Sequence, residues 1–529
     1  MGVLSVPAVP SKVLHLSVSA PKPTGAIRKS GSIKRLAWMI GIMLVVYSSV
    51  LAVPYGFMDD YEIGSWVYYQ PQRIFPCLAV QGRPLMAVFE LAGYYPIYHV
   101  ANFVWLRLIA IIGLGLLAWV FSRSMIRAGW SVQVAIPMGI MAATLPPMQI
   151  LASWAIVYSY PWATALAFFS AALWADSIPD GAPPNRRREI RWGAACVALL
   201  LFSLMFNQPV GMIFWAAAAI DLFKPGSTFP RIYRRGVGYL VIGFLAMGME
   251  FVVLKLALRI YPHEFMSYRA ALNNNILHKI HWFIKTPLLD ALNLQHFPGT
   301  TAVGLAVGLA MAVGLLLYFP GDLLSRAKCF AAAMLLIPLA YAPNLAVAES
   351  VAYYRTEIGL TTLILVYAWL AVNGFAATLR RRSPGQTPSG LGIALLRGVA
   401  VCACVVAAFN VLIYFAIPQT LEYRFLREKL ASADLRGVRH IHLIQPSPSD
   451  TLAPGAYREE FGYPSTFEDW VPNGMIQMTL RDLHLPLIDS DFEMPGHPRA
   501  NAAVSAAPDS ATLVIDMRQM TAMRDPSRN

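Results

Sequence analysis

The chain has 529 residues, of which 57% are hydrophobic and only 13% are charged, and its formal net charge is +13. Soluble proteins carry about 25% charged residues, so this composition excludes a disordered chain and argues against a soluble enzyme. Because the charges lie between long apolar runs, we predict a polytopic α-helical membrane protein that does not bind nucleic acid.

Eleven apolar runs are candidate membrane spans, since a bilayer core about 30 Å thick needs roughly 20 apolar residues per helix. The predicted spans are 36–54, 104–121, 132–150, 155–175, 192–207, 209–223, 236–257, 301–319, 329–347, 357–378 and 393–417. Asn207-Gln208-Pro209 interrupts the stretch 192–223, which is either two short spans or one long kinked helix. Pro146-Pro147 is expected to end or bend the third span.

The distribution of basic residues predicts the topology. With the N-terminus in the cytoplasm, the internal segments carry 22 Lys and Arg and the external loops carry 7. Cytoplasmic loops are enriched in these residues, and counting 192–223 as one span would spoil the pattern. We therefore predict a disordered basic cytoplasmic tail at 1–35, a membrane domain at 36–417 and an external domain at 418–529, on the outer side of the inner membrane.

The first long external loop, 55–103, begins with three acidic residues. Asp59, Asp60 and Glu62 lie within four positions directly after the first span. Carboxylates at a membrane face serve as a general base or as ligands of a hard divalent cation. The structural alternative is a helix start, where acidic side chains are favourable.

Aromatic and basic residues accompany these acids. Tyr61 and Trp66 belong to an aromatic cluster, and Arg83 stands in the sequence Gly-Arg-Pro-Leu about twenty residues later. Aromatic faces stack on sugar rings, and an arginine fork binds phosphate through two hydrogen bonds. The alternative for the aromatic residues is an interfacial belt. Residues 84–98 have the pattern of an amphipathic helix on the membrane surface.

A second long external loop, 258–300, is basic and rich in histidine. His278 and His281 share a helix face, but no third ligand accompanies them at helical spacing, which disfavours a metal site. The loop is better interpreted as an interfacial helix that contacts lipid or a lipid-linked phosphate.

Arg355 lies at the start of the tenth span, between Glu349 and Glu357. An arginine at that depth is costly unless it is paired or faces a cavity. It is therefore either half of an ion pair with one of these glutamates or a contact for an anionic substrate.

The tail 418–529 is predicted to form a small α/β domain. The segments His-Ile-His-Leu-Ile-Gln from residue 440 and Ala-Thr-Leu-Val-Ile-Asp-Met from residue 511 have strand patterns, with a helix after Pro472 between them. The chain contains no Walker loop, GxGxxG, GxSxG or HExxH motif, which leaves ATP-driven transport and α/β-hydrolase chemistry without support.

These residues together resemble a known family. A single span, the pair Asp59-Asp60 at the start of a long external loop and GRPL at 82–85 are similar to the multi-span GT-C glycosyltransferases, in particular to bacterial glucosyltransferase-like proteins that decorate O-antigen. The tail segments 458–480 and 513–518 are similar to the external tails of such proteins.

The resemblance implies an enzyme that takes a hexose or pentose from a polyprenyl-phosphate carrier at the external membrane face. It transfers the sugar with inversion to a glycan or lipid acceptor. By position, Asp59 or Asp60 becomes the catalytic carboxylate or helps to hold a divalent cation, although no metal ligands are assigned. Arg83 and Arg355 become contacts for the carrier phosphate, and Tyr61, Glu62 and Trp66 are further substrate-binding candidates.

Two other functions compete with this one. The first is a transporter or flippase of lipid-linked sugars, although the chain shows no repeat of the kind that transporters usually carry. The second is a non-catalytic assembly protein of the envelope, in which the acidic residues are structural. A cavity lined by Asp59, Asp60 and Arg355 would favour the enzyme. A passage open on both sides of the membrane would favour the transporter, and acidic side chains that point into solvent would favour the structural role.

Overall fold

The computed structural model of the chain describes residues 29–178, 185–293, 301–380, 390–447, 450–454, 460–493 and 511–523. Most of the predicted cytoplasmic tail, residues 1–28, lies outside these ranges, so its disorder stays a prediction.

Helices form most of the described chain. Those before residue 225 are α1 (Lys29–Val46), α2 (Ser49–Ala52), α3 (Asp59–Tyr69), α4 (Ile74–Ala79), α5 (Pro84–Tyr94), α6 (Phe103–Arg127), α7 (Val132–Ala142), α8 (Pro146–Ser153), α9 (Tyr160–Ser177), α10 (Arg186–Leu204), α11 (Gln208–Gly211) and α12 (Phe214–Leu222). The remaining helices are α13 (Phe229–Ile260), α14 (Ile276–Phe283), α15 (Leu289–Leu292), α16 (Thr301–Tyr318), α17 (Leu323–Leu339), α18 (Ala342–Ala346), α19 (Ile358–Arg380), α20 (Gly390–Val411), α21 (Ile417–Ser432) and α22 (Val471–Asp482).

Each predicted span falls on one of these helices or on a broken pair of them. In the described part of the chain, six helical segments are long and apolar enough to cross a membrane, or seven if α7 and α8 form one bent span. Other predicted spans fall short of that standard: α17 has 17 residues, and α10 begins with three consecutive arginines. The multi-span helical architecture is observed, whereas the count of eleven stays a prediction.

The proline pair breaks the third span as expected. Helices α7 and α8 meet at an angle of 59°, and α8 begins with Pro146 and Pro147 as its first two residues. Proline is tolerated in the first turn of a helix, where its missing N–H costs nothing, but it interrupts a helix that continues through it. The bend directs the end of α8, and Trp154 after it, into the interior of the protein, where Trp154 is almost fully buried.

A second break follows α10. The helix ends at Leu204, and the chain resumes helical structure at Gln208, so the stretch 192–223 is interrupted at Asn207. Asn207 is buried, and its side-chain amide donates a hydrogen bond to the Tyr160 hydroxyl at 2.8 Å. Non-helical backbone at membrane depth is stable only where the protein satisfies its polar groups.

The C-terminal residues contain a three-stranded parallel sheet. Its strands are β1 (His440–Ile444), β2 (Asp489–Glu493) and β3 (Thr512–Asp516), in the order β2-β1-β3. Strands β1 and β3 and helix α22 occur where the sequence predicts them. Strand β2 was not predicted, because its sequence Asp-Ser-Asp-Phe-Glu has a single apolar residue. Charged residues are common on edge strands, which need no buried face.

The C-terminal residues pack tightly on the first external loop. Helix α22 lies against α3, and a Cβ atom added at Gly474 would lie 2.7 Å from the backbone oxygen of Tyr61. The Ser465 hydroxyl accepts a hydrogen bond from the backbone N–H of Met58 at 3.0 Å. The described part of the tail therefore packs against the helix that carries Asp59, and the division into a membrane domain and a C-terminal domain stays a prediction.

Candidate active site

A cavity of about 210 Å³ lies between the first external loop, the ends of α8 and α11, the middle of α13 and the segment before α19. Its wall combines three cations with three carboxylates. These are Asp59, Arg83, Glu250, Arg269, Glu349 and Arg355. Charged groups of both signs in one cleft are typical of a site that binds an anion and handles a proton.

The Gly-Arg-Pro sequence forms one wall of this cavity. Gly82 has a φ of +76°, a conformation that only glycine adopts readily, and a Cβ atom there would collide with the side chains of Gln208 and Glu250. Pro84 is the first residue of α5. Arg83 is thereby held between a turn and a helix start, with its side chain in the cavity wall.

Arg83 is a cation without a bonded anion. Among the described residues its guanidinium has no hydrogen-bond partner, and its Nε is buried. Burial lowers the pKa of Arg83, and the nearby positive charges of Arg269 and Arg355 lower it further. An anion bound beside Arg83 would therefore be stabilised by its charge.

Arg355 also lies in the cavity wall, and its guanidinium sits over the rings of Trp154 and Tyr353 at 4.8 and 4.5 Å. Its carboxylate partner is Glu460, at 3.1 Å. Glu349 and Glu357 were the partners expected from the sequence, and the structure corrects that expectation. The sequence could not predict this partner, because Glu460 is 105 residues away from Arg355 in the chain.

The two aspartates occupy different environments. Asp59 is half-buried in the cavity wall, and its Oδ1 accepts a hydrogen bond from Trp470 Nε1 at 2.6 Å. Its other carboxylate oxygen has no partner among the described residues. Asp59 therefore keeps one oxygen available to a substrate.

Asp60 is fully buried and is not part of the cavity wall. Its carboxylate accepts four hydrogen bonds, from Tyr94 and from the backbone N–H groups of Phe57, Ala155 and Ile156. Burial raises the pKa of Asp60 to about 6, although these hydrogen bonds oppose the rise. Asp60 connects the start of α3 to the turn after α8 and lies outside the cavity wall, so its catalytic role stays a prediction that this geometry does not favour.

Tyr61, Glu62 and Trp66 do not reach the cavity. The Tyr61 ring is fully buried, and its hydroxyl accepts a hydrogen bond from the Gly56 N–H. Trp66 lies under the Arg73 guanidinium at 4.6 Å. Burial, together with the charge of Asp59, raises the pKa of Glu62 to about 8. On a helix Tyr61 points away from Asp59, whereas Glu62 and Trp66, three and seven positions after it, share its face but lie outside the cavity wall. Their role as substrate contacts stays a prediction.

The backbone just before Asp59 is strained. Met58 has a φ of 43° and a ψ of −114°, which is rare for a residue with a side chain. Such outliers cost about 1–3 kcal/mol and persist where the surroundings hold them, often at functional sites. Here the hydrogen bonds from the backbone N–H groups of Met58 to Ser465 and of Phe57 to Asp60 hold the turn that presents Asp59.

Polar residues that the sequence analysis did not assign complete the wall. Gln208 donates to the carbonyl of Gln81 at 2.9 Å and to Glu250 at 2.8 Å, and Arg269 donates to the side chain of Gln81 at 3.4 Å. The polar break Asn207-Gln208 within an apolar run was a usable indication of these contacts. Nothing in the sequence indicated the contacts of Glu460 and Trp470, because their partners Arg355 and Asp59 lie more than 100 positions away.

The described residues contain no group of three or more His, Cys, Asp or Glu side chains that is arranged to hold a metal ion. His278 and His281 lie on α14 and are exposed.

The chain matches no protein-family model and no curated protein. Among solved structures it is similar to the crystal structure of ArnT from Cupriavidus metallidurans bound to undecaprenyl phosphate, with a TM-score of 0.41 and 12% sequence identity. The similarity covers 95% of this chain and 89% of that one.

Proposed function

We propose that the protein is an inner-membrane glycosyltransferase. It moves a sugar from a polyprenyl-phosphate carrier to a glycan or lipid acceptor at the external membrane face, with inversion at the anomeric carbon. The observation that carries the proposal is the presence, in one cavity wall, of an available carboxylate on Asp59 and of three guanidinium groups, on Arg83, Arg269 and Arg355.

The cationic side of the cavity suits the carrier phosphate. Arg83 has no bonded anion among the described residues, and Arg269 and Arg355 raise the positive potential around it. A departing polyprenyl phosphate needs no proton, but the negative charge that grows on it needs cations. Arginine suits this role because its planar fork matches two phosphate oxygens.

Asp59 suits the role of general base. Trp470 holds one carboxylate oxygen, and the second takes the proton of the acceptor hydroxyl. The acceptor oxygen forms a bond to the anomeric carbon from the face opposite the phosphate. The bond from that carbon to the phosphate oxygen breaks, and the carrier phosphate leaves with the electron pair. One displacement of this kind inverts the configuration.

The polar network of Gln81, Gln208 and Glu250 suits the sugar. Its amide and carboxylate groups offer both donors and acceptors in the wall between the cations and Asn207. Sugar hydroxyls need both donors and acceptors. A ring without hydroxyl groups would leave these buried side chains without hydrogen-bond partners and would therefore bind poorly. Asp59 and Arg355 lie in the wall of this one cavity, which favours the enzyme over the non-catalytic assembly protein. Asp60 is buried outside that wall.

A mass comparison of surface glycans tests the proposal. Cells with and without the protein should differ by one hexose or pentose per acceptor, and cells carrying Asp59→Asn should match those without it. Purified protein should also bind undecaprenyl phosphate, used here as a probe, and the Asp59→Asn variant should bind it equally well. Identical glycan masses in the presence and absence of the protein would exclude the enzyme.

A further inference from the structure

A second cavity lies at the end of the helices remote from the candidate active site. It has a volume of about 450 Å³ and is formed by α1, the C-terminal end of α6 and α7. Helix α6 has 25 residues and so extends over roughly 37 Å. Its first turns lie near the first external loop, which places the second cavity about one membrane thickness from Asp59.

The rim of this cavity is cationic. Arg35, Arg123 and Arg127 line it, and none of the described residues in its wall is acidic. Arg127 forms an ion pair with Asp176. Arg123 is exposed, has no carboxylate partner among the described residues, and lies over the Trp119 ring at 5.2 Å. The site therefore has an unneutralised positive charge beside an interfacial tryptophan.

The walls of the same cavity are apolar. They are formed by Ile33, Leu36, Met39, Trp119, Ile126 and Ile136. A soluble phosphate would gain nothing from such walls, whereas a lipid would use both parts of the site. The headgroup phosphate would meet the arginines, and the first carbons of the acyl chains would cover the apolar side chains.

We infer that this cavity binds one anionic phospholipid of the cytoplasmic leaflet. Basic pockets between helices on this side of a membrane suit anionic headgroups, and each nearby Lys or Arg contributes about 1 kcal/mol. The lipid would join α1 to α6 and α7 and thereby stabilise the helix from which the first external loop continues. This site is independent of the proposed glycosyl transfer.

Native mass spectrometry of the full chain in mild detergent tests the inference, with phosphatidylglycerol and phosphatidylcholine as probes at equal concentration. The wild-type protein should retain one phosphatidylglycerol in preference to phosphatidylcholine. Arg123→Gln should weaken phosphatidylglycerol binding about fivefold, as expected for one lost charge. Arg397→Gln is the matched control, because Arg397 is exposed on α20 at the same predicted membrane side and does not line the cavity.

A second variant examines the apolar walls without changing the charge. Ile136→Trp fills the cavity and should abolish the preferential retention, while thermal unfolding without added lipid shows whether the variant is folded. Equal retention of both lipids by the wild type would overturn the inference, as would unchanged phosphatidylglycerol binding in folded Arg123→Gln and Ile136→Trp proteins.

Discussion

Trp470 donates a hydrogen bond from Nε1 to Oδ1 of Asp59 at 2.6 Å, across 411 positions of the sequence. The Trp470 side chain remains partly exposed beside the carboxylate. The same C-terminal segment supplies Glu460, which holds Arg355 at 3.1 Å. The tail thus contacts both the proposed base and one of the proposed phosphate-binding cations, so it belongs to the site.

Replacing Asp59 by asparagine should abolish glycan modification. Loss of a general base typically costs about 10²- to 10⁴-fold in rate, and the amide keeps the shape of the carboxylate without its basicity. The rate of sugar transfer, followed by glycan mass, measures the effect. Glu62→Gln is the control, because Glu62 is a carboxylic acid on the same helix but lies outside the cavity. A near-normal rate in the Asp59→Asn protein would remove Asp59 from the mechanism.

Replacing Trp470 by phenylalanine removes the N–H donor and keeps an aromatic ring. We expect about a tenfold or greater loss of transfer rate, since a hydrogen bond to a charged group contributes about 1.5–3 kcal/mol. Binding of undecaprenyl phosphate should not change, because Trp470 does not line the cavity wall near the cations. Trp38→Phe is the control, at an exposed tryptophan on α1. Equal rates for both variants would leave Trp470 with a purely structural role.

Replacing Arg83 by glutamine should weaken undecaprenyl phosphate binding by about ten- to hundredfold, the range for one charge-assisted contact. Equilibrium binding to the purified protein measures this change. Arg73→Gln is the matched control in the same loop, because Arg73 bonds to Gln70 and stacks on Trp66 outside the cavity. If both variants bind alike, the phosphate site lies elsewhere.

Replacing Gly82 by alanine should destabilise the protein by about 1–3 kcal/mol or more, because the residue has a positive φ and its Cβ would meet Gln208 and Glu250. Thermal unfolding in detergent measures the loss. Gly248→Ala is the control, since Gly248 is inside α13 with open space around it. There alanine should be neutral or stabilising by up to about 1 kcal/mol. A Gly82→Ala protein as stable as the wild type would contradict the requirement for glycine.

The stability of the protein should fall as the pH rises toward 8. The pKa of Glu62 is raised from 4.5 to about 8 in the folded protein, so between these values the folded state holds more protons than the unfolded state. The free energy of unfolding then decreases with rising pH across that window. The pKa of Asp60 is raised to about 6, so Asp60 adds to this decrease in the free energy of unfolding only below about pH 6.

Glu62→Gln should therefore make the fall in unfolding temperature between about pH 4.5 and 8 less steep, while the part that Asp60 contributes below pH 6 remains. Glu428→Gln, at an exposed position of α21, should keep the wild-type profile. A wild-type profile in the Glu62→Gln protein would show that burial of Glu62 does not control the dependence.

Local pattern was enough to locate most helices. A run of apolar residues is helical in a membrane because its backbone has no other hydrogen-bond partners, and this holds whatever packs around it. The breaks at Pro146-Pro147 and Asn207 were also predictable, because a proline or a polar amide side chain disturbs the backbone hydrogen bonds of the helical turn in which it lies. Strand β2 was missed because pairing with β1 gave Asp489–Glu493 its structure, and its own residues indicated none.

The sequence by itself determined the chemistry that was available: an acidic pair after the first span, Arg83 in a tight turn and Arg355 at a helix start. It did not determine which aspartate faces a substrate, because two adjacent helical residues point about 100° apart and only the neighbours decide which one is buried. Tertiary packing put Asp60 against the turn after α8 and left Asp59 in the cavity wall. It also brought Arg269, Glu460 and Trp470 to the site, since contacts between distant segments depend on how whole helices and strands pack together.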